Sequence, residues 1–196
     1  MEEGLVTDVI SLFEQAGAYL RGHFLLTSGL HSDVYFEKFA LLSRPDVLTQ
    51  LVSRLAEPYR DRRIETVVGP TVGGVIIAYD MARQLGCRAV YAEAEGDKRV
   101  LRRGFTLSPG ERVLICDDIL TTGRSVLEVT EMVETYKAEI VGIALLLDRS
   151  GGETKLPYPV TALASVKALS FEAAACPLCQ SGQLLTKRGS RTSVSG

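Results

Sequence analysis

From residue 64 onwards, the sequence alternates short apolar runs with longer segments in which apolar residues recur at helical spacing. The apolar runs lack the polar alternation of a half-exposed strand, so they predict strands that are buried on both faces. The predicted strands are IETVVG (64–69), CRAVYAE (87–93), RVLICD (112–117), EIVGIALLLD (139–148) and PVTALASV (159–166), and the predicted helices are GGVIIAYDMARQLG (73–86) and GRSVLEVTEMVETYKA (123–138). This alternation predicts an α/β fold: a central parallel sheet flanked by helices and joined by right-handed crossovers.

The N-terminal part of the chain follows a different pattern. Apolar residues at helical spacing predict a helix over residues 5–15, which Gly17 ends. Residues 19–39 combine short apolar runs, a TSG turn and polar alternation, which predicts short antiparallel strands. Pro45 then begins a helix that runs to about Pro58. A small antiparallel layer therefore precedes the main sheet.

The charge balance narrows the classes of partner. The 22 basic and 24 acidic residues give a formal net charge of -2, so no overall field favours nucleic acid or an anionic membrane. No apolar run approaches the roughly 20 residues that span a bilayer, and the first ten residues carry acids where a signal peptide needs a basic region. We expect a cytoplasmic protein without nucleic-acid or membrane partners, in which any anion site is local.

The four cysteines comprise two isolated thiols and one CPLC pair: Cys87 and Cys116, then Cys176 and Cys179. The isolated thiols lie in apolar, strand-like surroundings and are predicted to be buried. A structural zinc site needs four ligands, and the only histidines, His23 and His31, are far from the pair in sequence. We therefore predict that the pair is reduced and lies in a C-terminal turn. A zinc site shared across a dimer and a redox pair remain as alternatives.

Polar or glycine-containing segments follow each of the predicted parallel strands. Ligands of open parallel sheets bind outside the carboxyl ends of the strands. Four segments fall at that edge and are expected to form one site: residues 69–74, 93–103, 117–125 and 148–152.

The stretch VLICDDILTTGRSV, residues 113–126, carries the most specific chemistry. Beyond the apolar run, the backbone N–H groups of TTGRS can converge at the start of the next helix. Converging amides and the positive end of a helix bind phosphate without a lysine, and Gly123 lets the backbone approach closely. The predicted phosphate site comprises Thr121, Thr122, Gly123, Arg124 and Ser125.

Asp117 and Asp118 would repel that phosphate and are assigned another role. Two carboxylates beside a phosphate site can accept hydrogen bonds from the 2- and 3-hydroxyls of a ribose 5-phosphate. They can also stabilise positive charge developing on the sugar ring and help to hold Mg²⁺. Their adjacency is expected to raise the pKa of one carboxyl. The alternative is a helix N-cap aspartate with an incidental neighbour.

These strings resemble those of a known family. VLICDDILTTGRSV is similar to the signature with which type I phosphoribosyltransferases bind 5-phosphoribosyl 1-pyrophosphate (PRPP). HFLLTSGLHSDVYFEKF (23–39) resembles the orotate-side segment of orotate phosphoribosyltransferases. Three further strings match in order and spacing: VVGPTVGGVIIAYDMARQLG (67–86), LRRGFTLSPGERVLICDD (101–118) and LLLDRSGG (145–152).

The resemblance implies a reaction and a domain plan. Orotate and PRPP would give orotidine 5'-phosphate and pyrophosphate, with Mg²⁺, as a step of pyrimidine synthesis. The implied fold is one type I phosphoribosyltransferase domain over residues 1–190, with its core at about 45–165 and a small N-terminal hood from about 1–40 plus a C-terminal segment. Residues 191–196 are predicted to be a disordered tail. The family forms homodimers in which a mobile loop crosses into the neighbouring active site.

The resemblance also assigns residues. The ribose hydroxyls fall on Asp117 and Asp118, and orotate falls near Thr27, Tyr35, Phe36, Thr121 and Arg149. Tyr35 and Phe36 are adjacent on a predicted strand, so their side chains point to opposite faces and only one is expected to stack on the base. Arg149 suits the orotate carboxylate, with a solvated arginine as the alternative. His31 is predicted to be a turn histidine rather than a substrate contact.

Pyrophosphate needs donors of its own. The predicted backbone donors are Thr71, Val72, Gly73 and Gly74, and the available loop cations are Lys98, Arg99, Arg102 and Arg103. The sequence does not decide which cation reaches pyrophosphate. Better-known members carry a lysine near Gly73 and a basic residue at the position of Ala94, so a purine phosphoribosyltransferase and a non-catalytic PRPP sensor stay open as alternatives.

Overall fold

A computed structural model describes residues 2–26 and 28–188, with side chains from Asp8 onwards. The predicted tail at 191–196 lies outside the described residues. The helices are α1 Glu2–Gln15, α2 Lys38–Leu42, α3 Pro45–Ala56, α4 Gly73–Leu85, α5 Arg124–Thr135 and α6 Pro177–Gln180. The strands are β1 Tyr19–Leu25, β2 His31–Phe36, β3 Thr66–Pro70, β4 Arg88–Glu95, β5 Lys98–Leu101, β6 Arg112–Leu120, β7 Glu139–Asp148, β8 Val160–Ser165, β9 Ser170–Phe171 and β10 Thr186–Lys187.

The larger sheet has six strands in the order β5-β4-β3-β6-β7-β8. All neighbouring pairs are parallel except the edge pair of β4 and β5, which is antiparallel. The prediction of a central parallel sheet is therefore confirmed. The basic segment after β4, predicted as a loop or a flexible hairpin, is a β-hairpin that adds β5 to this sheet.

Helices cover both faces of this sheet, because its side chains divide between two hydrophobic clusters. Leu114 and Cys116 of β6 belong to the cluster that contains the buried side chains of α1, α3 and α4. Val113 and Ile115 belong to the cluster that contains those of α5. All four side chains are fully buried. The continuous apolar strand of the sequence is thus explained by burial on both faces.

A smaller sheet combines the two ends of the chain. Its order is β10-β1-β2-β9, with β1 and β2 antiparallel, as the polar alternation predicted. The two outer strands are only two residues long and come from the C-terminal segment. Tyr19, Val34 and Phe36 join this sheet to the cluster under α3 and α4. The domain limits given above stay a prediction.

Strand β6 extends further than the sequence indicated. The chain was expected to leave the sheet after Cys116, but Asp117 pairs with Leu145 and Leu120 pairs with Asp148. The reason is the ten-residue β7, which offers backbone partners along the whole of β6. The acid pair is therefore held inside a strand and does not lie on a loop.

Two glycines fix the helix ends nearest the site. Gly86 ends α4 in the left-handed conformation at φ 69°, as predicted, and Gly123 precedes α5 at φ 78°. Among the described residues, no helix combines the length and the apolar character needed to cross a bilayer.

Candidate active site

The acid pair lies buried at the carboxyl end of β6, with Asp117 6% and Asp118 4% exposed. Asp117 Oδ2 accepts a hydrogen bond of 2.9 Å from the Ser125 hydroxyl, and Asp117 Oδ1 accepts one from the Asp118 N–H. Asp118 Oδ1 accepts the N–H of Ile119. Asp118 Oδ2 is different: Lys38 Nζ lies 3.0 Å away as an ion pair, yet no group of the described chain donates a well-directed hydrogen bond to this oxygen. One carboxylate oxygen of the pair is thus left for a ligand.

The electrostatics of the pair follow from its burial. Burial raises the pKa of Asp117 from its ordinary value to about 6, and the charge of Asp118 adds to the shift. The Asp118 N–H, the Ser125 hydroxyl and the Lys38 ammonium act in the opposite direction. A raised pKa was expected from adjacency, but burial within β6 is the larger cause.

The TTGRS segment forms the turn between β6 and α5. Within the described residues, none of the backbone N–H groups of 121–125 donates to a protein acceptor. Thr121 and Thr122 are exposed, while Gly123 is buried and a Cβ built on it would lie 2.9 Å from Thr154 Cγ2. These free amides beside the start of α5 form the concave phosphate site that the sequence predicted.

Two side chains of this segment have other contacts than expected. The hydroxyl of Ser125, predicted as a phosphate donor, donates to Asp117. Arg124 is an exposed ion-pair partner of Glu128 at 2.7 Å and of Asp97 at 2.9 Å. Both residues therefore offer their backbone N–H groups to the site, and their side chains hold its surroundings.

The segment from Thr71 to Gly74 lies directly beside the acid pair. A Cβ built on Gly73 would lie 1.8 Å from Asp118 Oδ2, so only glycine leaves room for that carboxylate. The Thr71 N–H donates to the carbonyl of Ala92, and the peptide bond between Thr71 and Val72 is cis. The N–H groups of Gly73 and Gly74 at the start of α4 have no acceptor among the described residues.

The four predicted loop cations are arranged differently from one another. Arg99 Nη1 donates to Thr71 Oγ1 at 3.2 Å, and its Nε lies 3.2 Å from Glu128. Arg102 pairs with Glu95. Arg103 pairs with Glu93 at 2.8 Å on the exposed side of the hairpin. Lys98 is exposed and makes no ion pair with a described residue. Only Arg99 touches the Thr71–Gly74 segment in the described part of the chain.

The predicted orotate residues separate into two groups. Tyr35 and Phe36 point to opposite faces of the small sheet, as expected: Tyr35 packs on Phe24, and Phe36 packs on Tyr19 with ring centroids 4.9 Å apart. Arg149 Cζ lies 5.0 Å from the Phe36 ring centre. Thr27 lies outside the described residues.

Arg149 is not the solvated arginine of the alternative interpretation. Its Nε is buried and has no hydrogen-bond partner among the described residues. Burial lowers the pKa of Arg149 from its usual value, and the nearby Tyr35 acts against that shift. A half-buried guanidinium with a free donor is a suitable partner for a carboxylate ligand.

Contacts join the four predicted segments into one region. Gly73 touches Asp118, Arg99 touches Thr71, and the Thr154 hydroxyl donates to the carbonyl of Thr121 at 3.0 Å. Sequence reasoning missed one member of this region, Lys38. It lies in the string that resembles the orotate-side segment, but nothing in its spacing connected it with an acid about 80 residues later.

Comparisons with known proteins agree with this geometry. The sequence model of the phosphoribosyl transferase domain family matches residues 45–176. The orotate phosphoribosyltransferase of Caldicellulosiruptor bescii is 43% identical over 182 residues, covering 93% of this chain and 96% of that protein. This chain belongs to the orotate phosphoribosyltransferase family. A second orotate phosphoribosyltransferase, from Desulforamulus reducens, is 42% identical over 184 residues, covering 94% of this chain and 96% of that protein.

Solved structures support the assignment of the fold. The crystal structure of orotate phosphoribosyltransferase from Aeropyrum pernix has a TM-score of 0.70 and 25% identity, covering 81% of this chain and 94% of that one. An adenine phosphoribosyltransferase from Rhodothermus marinus has a TM-score of 0.65 and 24% identity, covering 82% of this chain and 99% of that one. The second likeness shows that purine and orotate enzymes share the type I phosphoribosyltransferase fold. The fold and the family inferred from the sequence motifs are both confirmed.

Proposed function

We propose that this orotate phosphoribosyltransferase transfers the phosphoribosyl group of PRPP to orotate, giving orotidine 5'-phosphate and pyrophosphate. The observation that carries the proposal is the junction of β6 and α5. Free amides of residues 121–125 lie next to two buried carboxylates, and this pair of features matches a sugar phosphate that carries a vicinal diol. The names of the relatives make orotate the acceptor.

The 5-phosphate binds to the amides of the Thr121–Ser125 turn and to the exposed hydroxyls of Thr121 and Thr122. The carboxylates of Asp117 and Asp118 accept the ribose hydroxyls. Because both carboxylates are fixed inside a strand, the sugar is oriented before any bond changes.

The reaction requires stabilisation of a positively charged sugar. As the bond from ribose C1 to pyrophosphate lengthens, the ring acquires oxocarbenium character, and the buried carboxylates oppose that charge from a site of low polarity. Lys38 limits the resting charge of the pair by its contact of 3.0 Å with Asp118. Orotate attacks through its ring nitrogen, which needs no strong base once the ring is deprotonated in its pocket.

The departing pyrophosphate binds at the Thr71–Gly74 segment. The N–H groups of Gly73 and Gly74 and the positive end of α4 face it, and Arg99 is the cation in contact with this segment. Arg102, Arg103 and Lys98 lie further along the exposed hairpin and form its outer charge. Closure of this hairpin excludes water that would otherwise hydrolyse PRPP.

Orotate binds between the small sheet and the loop after β7. The free Nε of Arg149 pairs with the orotate carboxylate, and Phe36 beneath the guanidinium holds it in place. Tyr35, on the opposite face of β2, and Thr27 complete the expected set together with Thr121.

The donor set at the acid pair fits Mg²⁺. Asp118 Oδ2 is a buried carboxylate oxygen without a hydrogen bond, and Mg²⁺ binds proteins through one or two carboxylates together with substrate phosphates. Bound with PRPP, the ion neutralises pyrophosphate charge. Asp117 and Asp118 are the residues that would hold it, directly or through water.

A homodimer fits the exposed apolar surface near the site. Phe39, Val72, Ile76 and Tyr79 are all exposed large hydrophobic residues, and Val72 and Tyr79 are 66% and 68% exposed. Covering this surface with a second copy would bring the basic hairpin of one protomer close to the other. Sedimentation velocity is expected to give a dimer, and Tyr79→Glu is expected to shift it to monomer.

The decisive experiment is an absorbance assay of orotate loss with PRPP and Mg²⁺. Orotate consumption with stoichiometric release of pyrophosphate is the expected result. Adenine and hypoxanthine serve as competing acceptors in matched reactions. Preference for a purine would make the chain a purine enzyme, and tight PRPP binding without product would make it a sensor; either outcome overturns the proposal.

A further inference from the structure

Four potential metal ligands meet in the small sheet, away from the acid pair. They are His23 in β1, His31 at the start of β2, and Cys176 and Cys179 at α6. Their ligand atoms all lie within 4.8 Å of one another. Residues that are up to 156 positions apart in the sequence therefore share one place in the fold. The sequence-based inference that the histidines are too far from the cysteine pair was wrong, because β1 and β2 pair with the C-terminal segment.

The burial of the cluster is uneven in an informative way. His23, His31 and Cys176 are 2%, 5% and 0% exposed, and Cys179 lies at the surface. Imidazoles and thiols rarely collect at one buried point for packing alone, since each ring nitrogen there requires a partner. Both cysteines are free thiols. His31 is thus neither a turn residue nor part of the substrate site.

The distances match a tetrahedral zinc site. His23 Nε2 and His31 Nδ1 are 2.9 Å apart, and Cys176 Sγ is 3.5 Å from His23 Nε2. Cys179 Sγ is 3.3 Å from His31 Nδ1 and 3.7 Å from His23 Nε2. Around tetrahedral Zn²⁺, with Zn–S of about 2.3 Å and Zn–N of about 2.0 Å, two nitrogens lie about 3.3 Å apart and sulfur and nitrogen about 3.6 Å apart. Shifts of a few tenths of an ångström would complete the tetrahedron.

A supporting contact orients one ligand. His23 Nδ1 lies 2.8 Å from the carbonyl oxygen of Gln183. A carbonyl can only accept, so Nδ1 carries the proton and the Nε2 lone pair points into the cluster. This arrangement, a metal-binding imidazole that donates its other N–H to a carbonyl, is the usual one in protein zinc sites.

We propose that His23, His31, Cys176 and Cys179 bind a structural zinc ion that fastens the C-terminal segment to the β1–β2 hairpin. The need for such a link is visible in the sheet, since β9 and β10 each add only two residues. The ion would close a chain loop of 148 residues between His31 and Cys179. All four protein ligands are supplied by one chain, which leaves no open position and assigns the ion to structure and not to catalysis.

The site lies on the same strand as the predicted base-stacking residues, but at the other end. His31 begins β2, whereas Tyr35 and Phe36 end it. Zinc would therefore stabilise the strand that carries these residues without touching them. Loss of the ion is expected to loosen the hairpin and the C-terminal segment while the central sheet stays folded.

Metal content is the first test. The full chain is purified without a histidine tag from zinc-supplemented medium, and zinc is measured by inductively coupled plasma mass spectrometry. We expect about one zinc per chain in the wild type and in Cys87→Ser, which alters a cysteine outside the cluster. Cys179→Ser, at the exposed ligand, is expected to lose most of it. Zinc-free wild type after incubation of the reduced protein with Zn²⁺, or full zinc in Cys179→Ser, would overturn the proposal.

Cobalt substitution tests the ligand set without a variant that could misfold. Co²⁺ added to the metal-free wild type is expected to give the intense visible bands of a tetrahedral ion and ultraviolet thiolate-to-cobalt bands. Weak octahedral bands alone would refute the site. Mass spectrometry after thiol alkylation supplies a further check, because a Cys176–Cys179 disulfide in freshly isolated protein would also refute it.

The structural role has a separate readout. Phenanthroline, in buffer without Mg²⁺ or substrates, is expected to lower the melting temperature of the wild type and to speed proteolysis between residues 170 and 188. Cys179→Ser should already show both changes and should not respond further. An unchanged melting temperature after complete zinc removal would contradict the fastening role, whatever the enzyme's activity.

Discussion

The acid pair and the Cys/His cluster are both buried groups of ligand atoms, but they are assembled in different ways. Asp117, Asp118 and the amides of residues 121–125 are contiguous in the chain and held by β6 and α5. The cluster joins one strand pair to a segment about 150 residues further along. The first site depends on one strand and one turn, and the second depends on closure of the two ends of the chain.

This difference separates chemistry from cohesion. The acid pair contributes little to folding, since a buried carboxylate without a full set of hydrogen bonds is a cost to stability. The cluster touches no predicted substrate residue, yet it links three strands to α6. Substitutions in the first region should therefore change turnover, and substitutions in the second should change stability.

The largest effect is expected for Asp118→Asn. Loss of the buried negative charge should lower kcat/KM by about 10³-fold, because one carboxylate no longer opposes the positive sugar. The melting temperature should hardly change, since the neutral amide also removes repulsion with Asp117. Both are measured by the orotate assay and by thermal unfolding. Asp61→Asn, at an exposed aspartate far from the site in sequence, is the matched control. Wild-type turnover in Asp118→Asn would remove this carboxylate from the mechanism.

The second prediction contrasts the two sheets by the same truncation. Leu114 of β6 is fully buried, whereas Leu20 of β1 is only partly buried. Leu114→Ala should lower the free energy of unfolding by about 2–5 kcal/mol through lost contacts and a cavity, and Leu20→Ala by about 1 kcal/mol. Urea unfolding monitored by circular dichroism measures both. Equal losses would mean that the small sheet is as tightly packed as the central one, contrary to the comparison drawn here.

Most of the central fold was predictable, because its signals are local. The apolar runs of β6 and β7 and the glycine at position 86 define strands and a helix end within windows of a few residues. The end of β6 was not predictable in this way. Polar residues such as Asp117 and Asp118 normally leave a sheet, and only the length of the partner strand β7 keeps them in it.

The candidate site was predictable where its residues are contiguous. The phosphate turn was found from its own letters, whereas Lys38 and the Cys/His cluster required knowledge of which distant strands pair. The ordering of the loop cations was hidden for the same reason. Alternation along β5 does not reveal that Arg99 faces Thr71 while Arg102 and Arg103 pair with nearby acids.

The third prediction concerns the pH dependence of stability. The folded pKa of Asp117 is about 6, above the ordinary value of about 3.9 in an unfolded chain. The folded state therefore binds the proton more tightly, and the free energy of unfolding falls as pH rises from about 4 to about 6. At 1.36 kcal/mol per pKa unit, the total is about 3 kcal/mol.

Asp117→Asn should lose this component. Urea unfolding at about pH 4 and about pH 7 is expected to show that the variant gains about 3 kcal/mol relative to wild type at the higher pH. Asp61→Asn again serves as control, because an exposed aspartate should leave the profile of the wild type unchanged. Parallel profiles for Asp117→Asn and wild type would mean that the acid pair carries no buried-charge cost, which would break the separation between chemistry and cohesion.

The smallest effect, about tenfold in kcat/KM for PRPP, is expected for Gly73→Ala. A Cβ at this position would lie 1.8 Å from Asp118 Oδ2 and 2.9 Å from its Cγ, so the carboxylate would have to move away from the ribose. Val75→Ala, in the same helix, is the control, since it shortens a side chain and leaves that contact intact. The melting temperature should change little in either variant, because Asp118 can rotate while β6 stays in the sheet. Full activity in Gly73→Ala would show that the observed position of the Asp118 carboxylate is not the one that turnover requires, and rigidity inside β6 would then no longer explain how a contiguous segment orients the sugar.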